Sequence, residues 1–227
     1  MYHMYLIVII AIILIVLTVY RGLTYSAGNA GEHAVAKRLR RLSRNRYFII
    51  NDLMIEKRNG HTTQIDHVVV SPYGIFVIET KNISGHVYGA EFSKQWTRYW
   101  RGYKRGGYYG TDNMSFDNPV LQNGAHVKAL QEILQEYHPR FIPIVAFSPQ
   151  ATLKVNVQGV DVIYWTDIKS VIKSYDEEVM DVDKAKEIYE RLLAINIKDK
   201  ARRRGHAERA QRNKQNYIDN NINTIYP

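Results

Sequence analysis

The segment from Gln64 to Lys81 constrains the fold more than any other part of the chain. It contains two nearly continuous apolar runs, at 68–70 and 75–78, which are typical of strands buried on both faces. The residues between them, Ser71-Pro72-Tyr73-Gly74, have the composition of a turn. The segment therefore predicts an antiparallel hairpin inside a sheet, although a glycine bulge at Gly74 would shift the pairing by one residue.

Two acids stand in this hairpin where hydrophobic residues are expected. If Val70 pairs with Ile75, Asp66 faces Glu79 on the neighbouring strand. Lys81 then lies on the same side as Glu79, because side chains alternate along a strand. Facing carboxylates have Cβ atoms about 5 Å apart and repel each other by roughly 3 kcal/mol at an effective dielectric of about 20. A divalent cation between them would offset this repulsion.

The wider pattern around these acids resembles the nuclease-related domain (NERD) family of the PD-(D/E)xK nuclease superfamily. The residues that carry the resemblance are Gly31-Glu32, Gln64-Ile-Asp-His67, Gly74-Ile-Phe-Val-Ile-Glu-Thr-Lys-Asn82, Trp96 and Asn118-Pro119-x-x-Gln122. They extend over about residues 28–147. The resemblance implies an α/β fold of restriction-endonuclease type, with a mixed central sheet flanked by helices. It also implies metal-dependent cleavage of phosphodiesters.

The same resemblance implies roles for individual residues. Asp66, Glu79 and Glu32 would bind Mg²⁺ or Mn²⁺. Lys81 would help to deprotonate or align the attacking water, and Gln122 would position water or phosphate. The alternative for Gln122 is an ordinary polar residue in the first turn of a helix. No phosphate-cradling loop and no Ser/His/Asp motif competes with this acidic site as the centre of chemistry.

Glu32 has a second interpretation. Asn29-Ala-Gly-Glu32 resembles a capping box that begins a helix extending to about Arg44. In one interpretation Glu32 caps this helix, and in the other it points with the apolar stripe toward the sheet and joins the metal site. The opposite face of the helix is basic and is expected to meet solvent, anionic lipid or a nucleic-acid backbone.

Residues 88–116 combine aromatic and basic side chains in the least regular part of the sequence. Such interleaving suits a single-stranded nucleic acid, since aromatic rings stack on bases and cations meet phosphates. The predicted substrate-binding residues are Gln64, Trp96, Arg98, Trp100 and Arg101. The alternative is a twisted hairpin whose aromatic residues cover the sheet edge. His67 alternates away from Asp66 and is expected to pack on the other side of the sheet.

Residues 1–20 contain no formally charged side chain, and 4–20 are mostly Ile, Leu and Val. About 20 helical residues span the hydrocarbon layer, so this segment predicts one transmembrane helix in the lipid bilayer. A cleaved signal peptide is the alternative, but no Lys or Arg precedes the apolar run. Six basic residues lie at 37–46, which places the N-terminus outside and the C-terminal domain in the cytoplasm of a single-pass protein of the cell membrane.

The net charge of +9 does not describe the body of the protein. Residues 37–46 hold six basic side chains, and 198–214 hold eight together with two acids. The rest has 17 basic against 20 acidic residues and is therefore slightly negative. Nucleic acid, with DNA favoured over RNA, is the expected partner; protein partners are not identifiable. The alternative function is a catalytically silent, membrane-tethered module that binds nucleic acid or docks a protein.

The sequence predicts four parts: a membrane anchor at 1–22, a nuclease-like core at 28–147, a strand and helices at 148–204 that complete the domain, and a disordered basic tail at 205–227. A helix is expected from Val120 to about Tyr137. Its predicted buried side consists of Leu121, Ala125, Leu130, Ile133 and Leu134. The chain contains no cysteine, which excludes disulfides and thiolate metal sites.

Overall fold

The computed structural model describes residues 5, 9–10, 12–13, 29–104, 108–210 and 212, without the side chains of 101–112. In chain order its elements are α1 (29–39), β1 (Phe48–Glu56), β2 (Thr62–Ser71), β3 (Gly74–Lys81), β4 (Gly85–Ala90), β5 (Gln95–Lys104), β6 (Tyr108–Asp117), α2 (Pro119–Ile133), a 3₁₀ turn (Gln135–Tyr137), β7 (Phe141–Phe147), β8 (Ala151–Asn156), β9 (Asp161–Tyr164), α3 (Ile168–Ser174), α4 (Val182–Ile195) and α5 (200–210).

The strands form two sheets with the orders β1-β2-β3-β7-β9 and β6-β5-β4-β8. Both are mixed, because β7 pairs with β9 and β4 pairs with β8 in parallel while the hairpins are antiparallel. This confirms the predicted mixed α/β class. The chain forms two compact units. Unit 1 takes its residues from Met1–Leu42, Glu79–Gln122 and Ile144–Tyr175, and unit 2 from Ser43–Ile78, Asn123–Pro143 and Asp176–Pro227.

The β2–β3 hairpin has the predicted register, with Val70 opposite Ile75. Its connection consists of Pro72–Tyr73, and no bulge shifts the pairing. Gly74 has a φ of 131°, and a Cβ there would lie 2.9 Å from the backbone oxygen of Arg140. A residue with a side chain is therefore excluded at this position by both its conformation and its neighbour.

The core of unit 2 is built from the inward faces of β1, β2, β3, α2 and α4. Its buried members are Ile50, Leu53, Ile55, Ile65, Val68, Val70, Ile75, Val77, Ala129, Leu130, Leu134, Ala185, Ile188 and Leu192. The apolar runs of β2 and β3 supply the centre of this set, as expected for strands that are buried on both faces.

The buried face of α2 differs from the predicted one. Leu121 is 45% exposed, and Ala125 is also exposed, although both were expected in the core. Two polar residues, Asn123 and His126, are buried instead. The prediction followed hydrophobicity alone, whereas hydrogen bonds to other elements stabilise these polar side chains inside the protein. Leu134 is buried as predicted.

Unit 1 has a separate core beneath the second sheet. Trp96 is fully buried there and stacks on Phe147 with ring centroids 6.1 Å apart. A Cβ on Gly89 would lie only 2.3 Å from the Trp96 ring, so a glycine is needed opposite it. The predicted irregular segment at 88–116 is thus a regular part of the sheet, with β5 and β6 paired along their whole length.

The described C-terminal part of the chain contains two helices, α4 and α5. Within the strand and helices predicted at 148–204, α4 stops at Ile195, and α5 follows as a separate helix over 200–210. Asp199 accepts a hydrogen bond from the Arg202 backbone and caps α5. Arg203 donates to Asp52 in β1 at 2.7 Å. Residues 205–210 belong to α5, and Nδ1 of His206 lies 2.9 Å from the Thr62 hydroxyl. Most of the tail after residue 210 lies outside the described residues, and its predicted disorder stays a prediction.

Most of the predicted anchor, residues 4–20, lies outside the described residues. Within the described part of the chain, every helix is too short or too polar to cross a membrane.

Helix α1 is shorter than predicted, because it ends at Leu39 rather than near residue 44. Its last turn tightens through a hydrogen bond from Leu42 to the Leu39 carbonyl, spaced as in a 3₁₀ helix.

Candidate active site

The end of β3 places Glu79 and Lys81 on one side of the strand. They are two residues apart, and side chains alternate along a strand, so both project from the same face. The strand is held at this end by the carbonyl of Lys81, which accepts a hydrogen bond of 2.9 Å from the backbone of Ser148. The backbone therefore positions both charged groups before they contact each other.

Glu79 and Lys81 form a largely buried ion pair. The Nζ atom of Lys81 lies 2.7 Å from Oε1 of Glu79, and the side chains are 19% and 3% exposed, respectively. A buried carboxylate is costly unless it is paired and hydrogen-bonded. Lys81 supplies that charge, so the burial of Glu79 does not by itself require a metal ion.

Gln122 completes this cluster from the first turn of α2. Its Oε1 atom accepts a hydrogen bond of 3.0 Å from Nζ of Lys81. An ammonium group has three hydrogens, and Lys81 directs them to Glu79 and Gln122 among its partners. The structure thus brings together three of the five predicted catalytic residues.

Asn118 explains why Gln122 stands at this position. Its Oδ1 atom accepts a hydrogen bond from the Val120 backbone and caps the start of α2. Its Nδ2 atom, which has two hydrogens to donate, lies within 3.2 Å of the carbonyl oxygens of Ala90 at the end of β4 and of Glu91 and Ser93 in the following turn. The Asn-Pro pair therefore fixes both the position and the direction of the helix that carries Gln122.

Glu32 lies where α1 meets the end of β3. A Cβ on Gly31 would be 2.8 Å from Cβ of Asn82 and 3.3 Å from Cγ2 of Thr80, so glycine permits this close approach. Glu32 is half-buried in the next position. Asn29 is already helical and is therefore not the cap that the capping-box pattern predicts. The predicted metal role of Glu32 stays a prediction.

Asp66 and Gln64 belong to unit 2. Asp66 is half-buried in β2, between Ile65 and His67, which pair with Leu53 and Asn51 of β1. The amide of Gln64 donates to Asp52 at 2.9 Å, and Arg203 binds the other carboxylate oxygen of Asp52. Gln64 thus helps to hold Asp52, which lies on β1, the strand next to that of Asp66. Asp52 has a φ of 58°, a conformation that few residues other than glycine adopt.

Two buried polar residues that sequence reasoning left out belong to α2. The Nδ2 atom of Asn123 donates to the Val77 carbonyl of β3 at 2.9 Å. The Nδ1 atom of His126 lies 2.9 Å from the hydroxyl of Thr63 in β2. Asn123, His126 and Leu130 follow each other at intervals of three and four residues, which places them on one helical face. This spacing is the signal by which the two polar residues could have been found.

The predicted substrate-binding residues of β5 differ in exposure. Trp96 has no exposed surface, and its Nε1 atom donates to the Ala90 carbonyl. Burial of the ring leaves no face on which a base could stack and argues against a direct substrate contact. Arg98 is half-buried, Trp100 is 45% exposed, and Arg101 pairs with the β6 position opposite it.

The described residues contain no group of three or more His, Cys, Asp or Glu side chains arranged to hold a metal ion. The metal set predicted from Asp66, Glu79 and Glu32 therefore stays a prediction. His67 is buried and bonds Asn51 in β1 at 2.7 Å, in keeping with the packing role expected for it.

Comparison with known proteins supports the resemblance. Residues 27–148 match the model of the family described as the nuclease-related domain, NERD. An uncharacterized protein of Bacillus anthracis is 35% identical over 184 residues, which cover 80% of this chain and 82% of that protein. No solved structure matches the chain significantly. The chain therefore belongs to the nuclease-related domain family.

Proposed function

We propose that this protein is a membrane-anchored nuclease that hydrolyses phosphodiester bonds in nucleic acid, with DNA as the preferred substrate over RNA. The reaction depends on Mg²⁺ or Mn²⁺. Asp66, Glu79 and Lys81 form the catalytic signature, and Glu32 and Gln122 assist them.

The cluster of buried Glu79 with half-buried Lys81 and Gln122 carries this proposal. A charged pair has little structural value inside a protein, since hydrophobic residues of similar size often stabilise the fold equally well. Here the Glu79–Lys81 pair lies at the end of β3. The side-chain amide of Gln122, on α2, accepts a hydrogen bond from the same ammonium. The three residues lie within residues 27–148, which match the nuclease-related domain family, and this membership supports a catalytic role for them.

The chemistry of the predicted donors, rather than their arrangement in the structure, suits a hard divalent cation. The carboxylates of Asp66, Glu79 and Glu32 offer oxygen ligands, which Mg²⁺ and Mn²⁺ prefer, and the chain has no cysteine to favour a softer metal. Bound there, the ion would stabilise the negative charge that develops on the phosphate and lower the pKa of water.

Lys81 acts as a positioned cation. An ammonium that is already ion-paired carries its proton, so it stabilises negative charge on a phosphate oxygen instead of accepting a proton from water. Glu79 fixes the ammonium from one side and Gln122 from the other. Of the two roles expected for Lys81, alignment of water and phosphate is therefore favoured over deprotonation.

Cleavage assays on the full chain in detergent test this function. Labelled single- and double-stranded DNA and RNA are incubated with Mg²⁺ or Mn²⁺, and EDTA is added in a parallel reaction. The wild type cuts DNA faster than RNA, and EDTA stops the reaction. Glu79→Gln and Lys81→Met each lower the cleavage rate by roughly a hundredfold or more. The matched control is Glu177→Gln, whose side chain is 78% exposed.

Cleavage that persists in EDTA would contradict the metal dependence. Equal rates for the wild type and both site variants would show that another site cuts. A circular dichroism spectrum for each variant confirms that it is folded.

The alternative function is a catalytically silent module that binds nucleic acid on the same scaffold. One observation favours it: Lys81 already neutralises Glu79, so the site is stable as an ion pair. Such a module binds nucleic acid equally well after Glu79→Gln and shows no cleavage with either metal.

We also propose that residues 4–20 anchor the protein in the cell membrane with the C-terminal domain in the cytoplasm. The five described residues of the N-terminal segment are helical and apolar or aromatic, and the exposed fractions of their side chains range from 49% to 62%. Reporter fusions at both ends test the orientation. An extracellular C-terminus would contradict it.

A further inference from the structure

Where its side chains are described, one face of the second sheet is largely exposed to solvent. Strand register places eight residues together on it, and we call this set the outer face: His86, Tyr88, Thr97, Tyr99, Asn113, Ser115, Thr152 and Lys154. All are exposed except Thr97, which is half-buried. The opposite face carries Val87 and Trp96, which are in the core of unit 1. This opposite face is covered around Val87 and Trp96, whereas Trp100 and Met114, further along β5 and β6 on the same face, are 45% and 46% exposed.

Two tyrosines stand next to each other at the centre of the outer face. Tyr88 and Tyr99 are 40% and 42% exposed, and their rings meet edge to face with centroids 5.4 Å apart. The ammonium of Lys154 lies 5.7 Å from the centroid of the Tyr88 ring. These contacts hold the rings in fixed orientations without burying them.

The charge on this face suits a polyanion. Among the outward positions whose side chains the structure describes, Asp117, at the end of β6, is the one carboxylate. Around the two tyrosines the neighbours are His86, Lys154 and short polar side chains. An aromatic pair beside a cation, with no acid next to it, offers both components that nucleic-acid binding requires.

We propose that the outer face binds single-stranded nucleic acid, with bases stacked on Tyr88 and Tyr99 and a phosphate at Lys154. This inference rests on the proposed function and names the form of its substrate. A duplex would bind less well, because its bases are already stacked on each other and offer no free ring face. The rings of Tyr88 and Tyr99 are partly exposed and can stack on bases, whereas the ring of Trp96 is enclosed in the core.

Binding is measured by fluorescence anisotropy with the full chain in detergent. The probe is fluorescein-labelled oligothymidylate, and the same strand annealed to its complement provides the duplex. EDTA is present throughout, so that binding is separated from cleavage. The variants are Tyr88→Thr, Tyr99→Thr and Lys154→Gln. Controls are Phe92→Ser, an aromatic residue that is 86% exposed in the β4–β5 turn, and Lys173→Gln on α3.

The single strand binds more tightly than the duplex, and each tyrosine substitution weakens its binding by about tenfold. Tyr88→Phe retains wild-type affinity, since stacking needs the ring and not the hydroxyl. Lys154→Gln lowers the dependence of log K on log salt by about one unit in slope. Phe92→Ser and Lys173→Gln bind like the wild type.

Unchanged single-strand affinity in Tyr88→Thr and Tyr99→Thr would overturn the inference, as would equally tight binding of the duplex. The two proposals fail separately. Binding that needs the tyrosines, without any cleavage in Mg²⁺ or Mn²⁺, supports this face and contradicts the nuclease function. If the wild type cleaves nucleic acid and the tyrosine variants bind and cut as it does, the nuclease function is supported and binding at the outer face is contradicted.

Discussion

The ammonium of Lys81 lies 2.7 Å from the carboxylate of Glu79, two residues earlier on the same strand, and this carboxylate is almost completely buried. The same ammonium donates to Gln122 on the first turn of α2. One cation therefore joins the end of β3 to the start of a helix. Both the stability of this region and its proposed chemistry depend on that charge.

Removal of the ammonium should strongly destabilise the fold. In Lys81→Met the buried carboxylate of Glu79 loses its counter-charge, and breaking such a pair from one side costs roughly 3–5 kcal/mol in free energy of unfolding. Urea denaturation measures the loss. In the double variant with Glu79→Gln, part of the stability returns because the uncompensated charge is gone.

The control for this prediction is Lys186→Met. Lys186 and Glu190 form an exposed pair, and their side chains are 60% and 64% exposed. Surface pairs contribute less than about 1 kcal/mol, so this variant unfolds close to the wild type. A Lys81→Met protein as stable as Lys186→Met would contradict the importance of the buried pair.

The buried polar side of α2 gives a second prediction. Asn123→Leu removes the hydrogen bond to the Val77 carbonyl and lowers the free energy of unfolding by about 1–3 kcal/mol. Leu121→Ala changes it by less than about 0.5 kcal/mol, because Leu121 is 45% exposed. Chemical denaturation compares the two. A larger loss of stability in Leu121→Ala than in Asn123→Leu would contradict the burial of Asn123 and the exposure of Leu121 on α2.

Two glycines should respond to alanine in opposite directions. Gly89→Ala forces a methyl group against the Trp96 ring and destabilises the fold by about 1–3 kcal/mol or more. Gly124→Ala meets nothing within 4 Å and sits inside α2, so it stabilises by about 0.5–1 kcal/mol. Thermal unfolding separates them. Equal melting temperatures would contradict the close contact between Gly89 and Trp96.

His206 makes stability depend on pH. Burial, and then nearby Arg209, lower the pKa of its imidazole below the ordinary value of 6.5. The folded protein therefore resists protonation, while the unfolded chain gains a proton as pH falls through 6.5. The contribution of His206 to the free energy of unfolding is therefore present above pH 6.5 and is lost as the pH falls below it. Between about pH 7.5 and about pH 5.5, the melting temperature of the wild type falls more than that of His206→Gln.

The exposed His61 provides the matched control. His61→Gln should keep the pH dependence of the wild type. An identical loss of melting temperature in His206→Gln would show that other groups cause the effect.

The strands of the site were predictable from the sequence because their physics is local. Apolar runs on both sides of a Pro-Gly turn predict β2 and β3, and the alternation of side chains places Glu79 and Lys81 on one face. Gln122 was different. Its contact with Lys81 depends on how α2 docks, and only the family resemblance pointed to it.

The errors arose where polar contacts overrule hydrophobicity. Asn123 and His126 take core positions on α2 because each has a hydrogen-bonding partner on another element. Helix α5 has few apolar residues, and Arg203 fastens it through hydrogen bonds to Asp52 and neighbouring groups. The partners of these side chains lie far apart in sequence, so the helical spacing of Asn123 and His126 does not identify the groups that they bond.

Calorimetric titration of Mn²⁺ into the full chain tests the central claim most directly. The account predicts saturable binding to the wild type and its loss in the isosteric variants Glu79→Gln and Asp66→Asn, while Glu177→Gln, altered in an exposed side chain, binds as the wild type does. Identical heats for the wild type and both site variants would contradict a metal centre at these acids, and with it the proposed nuclease function.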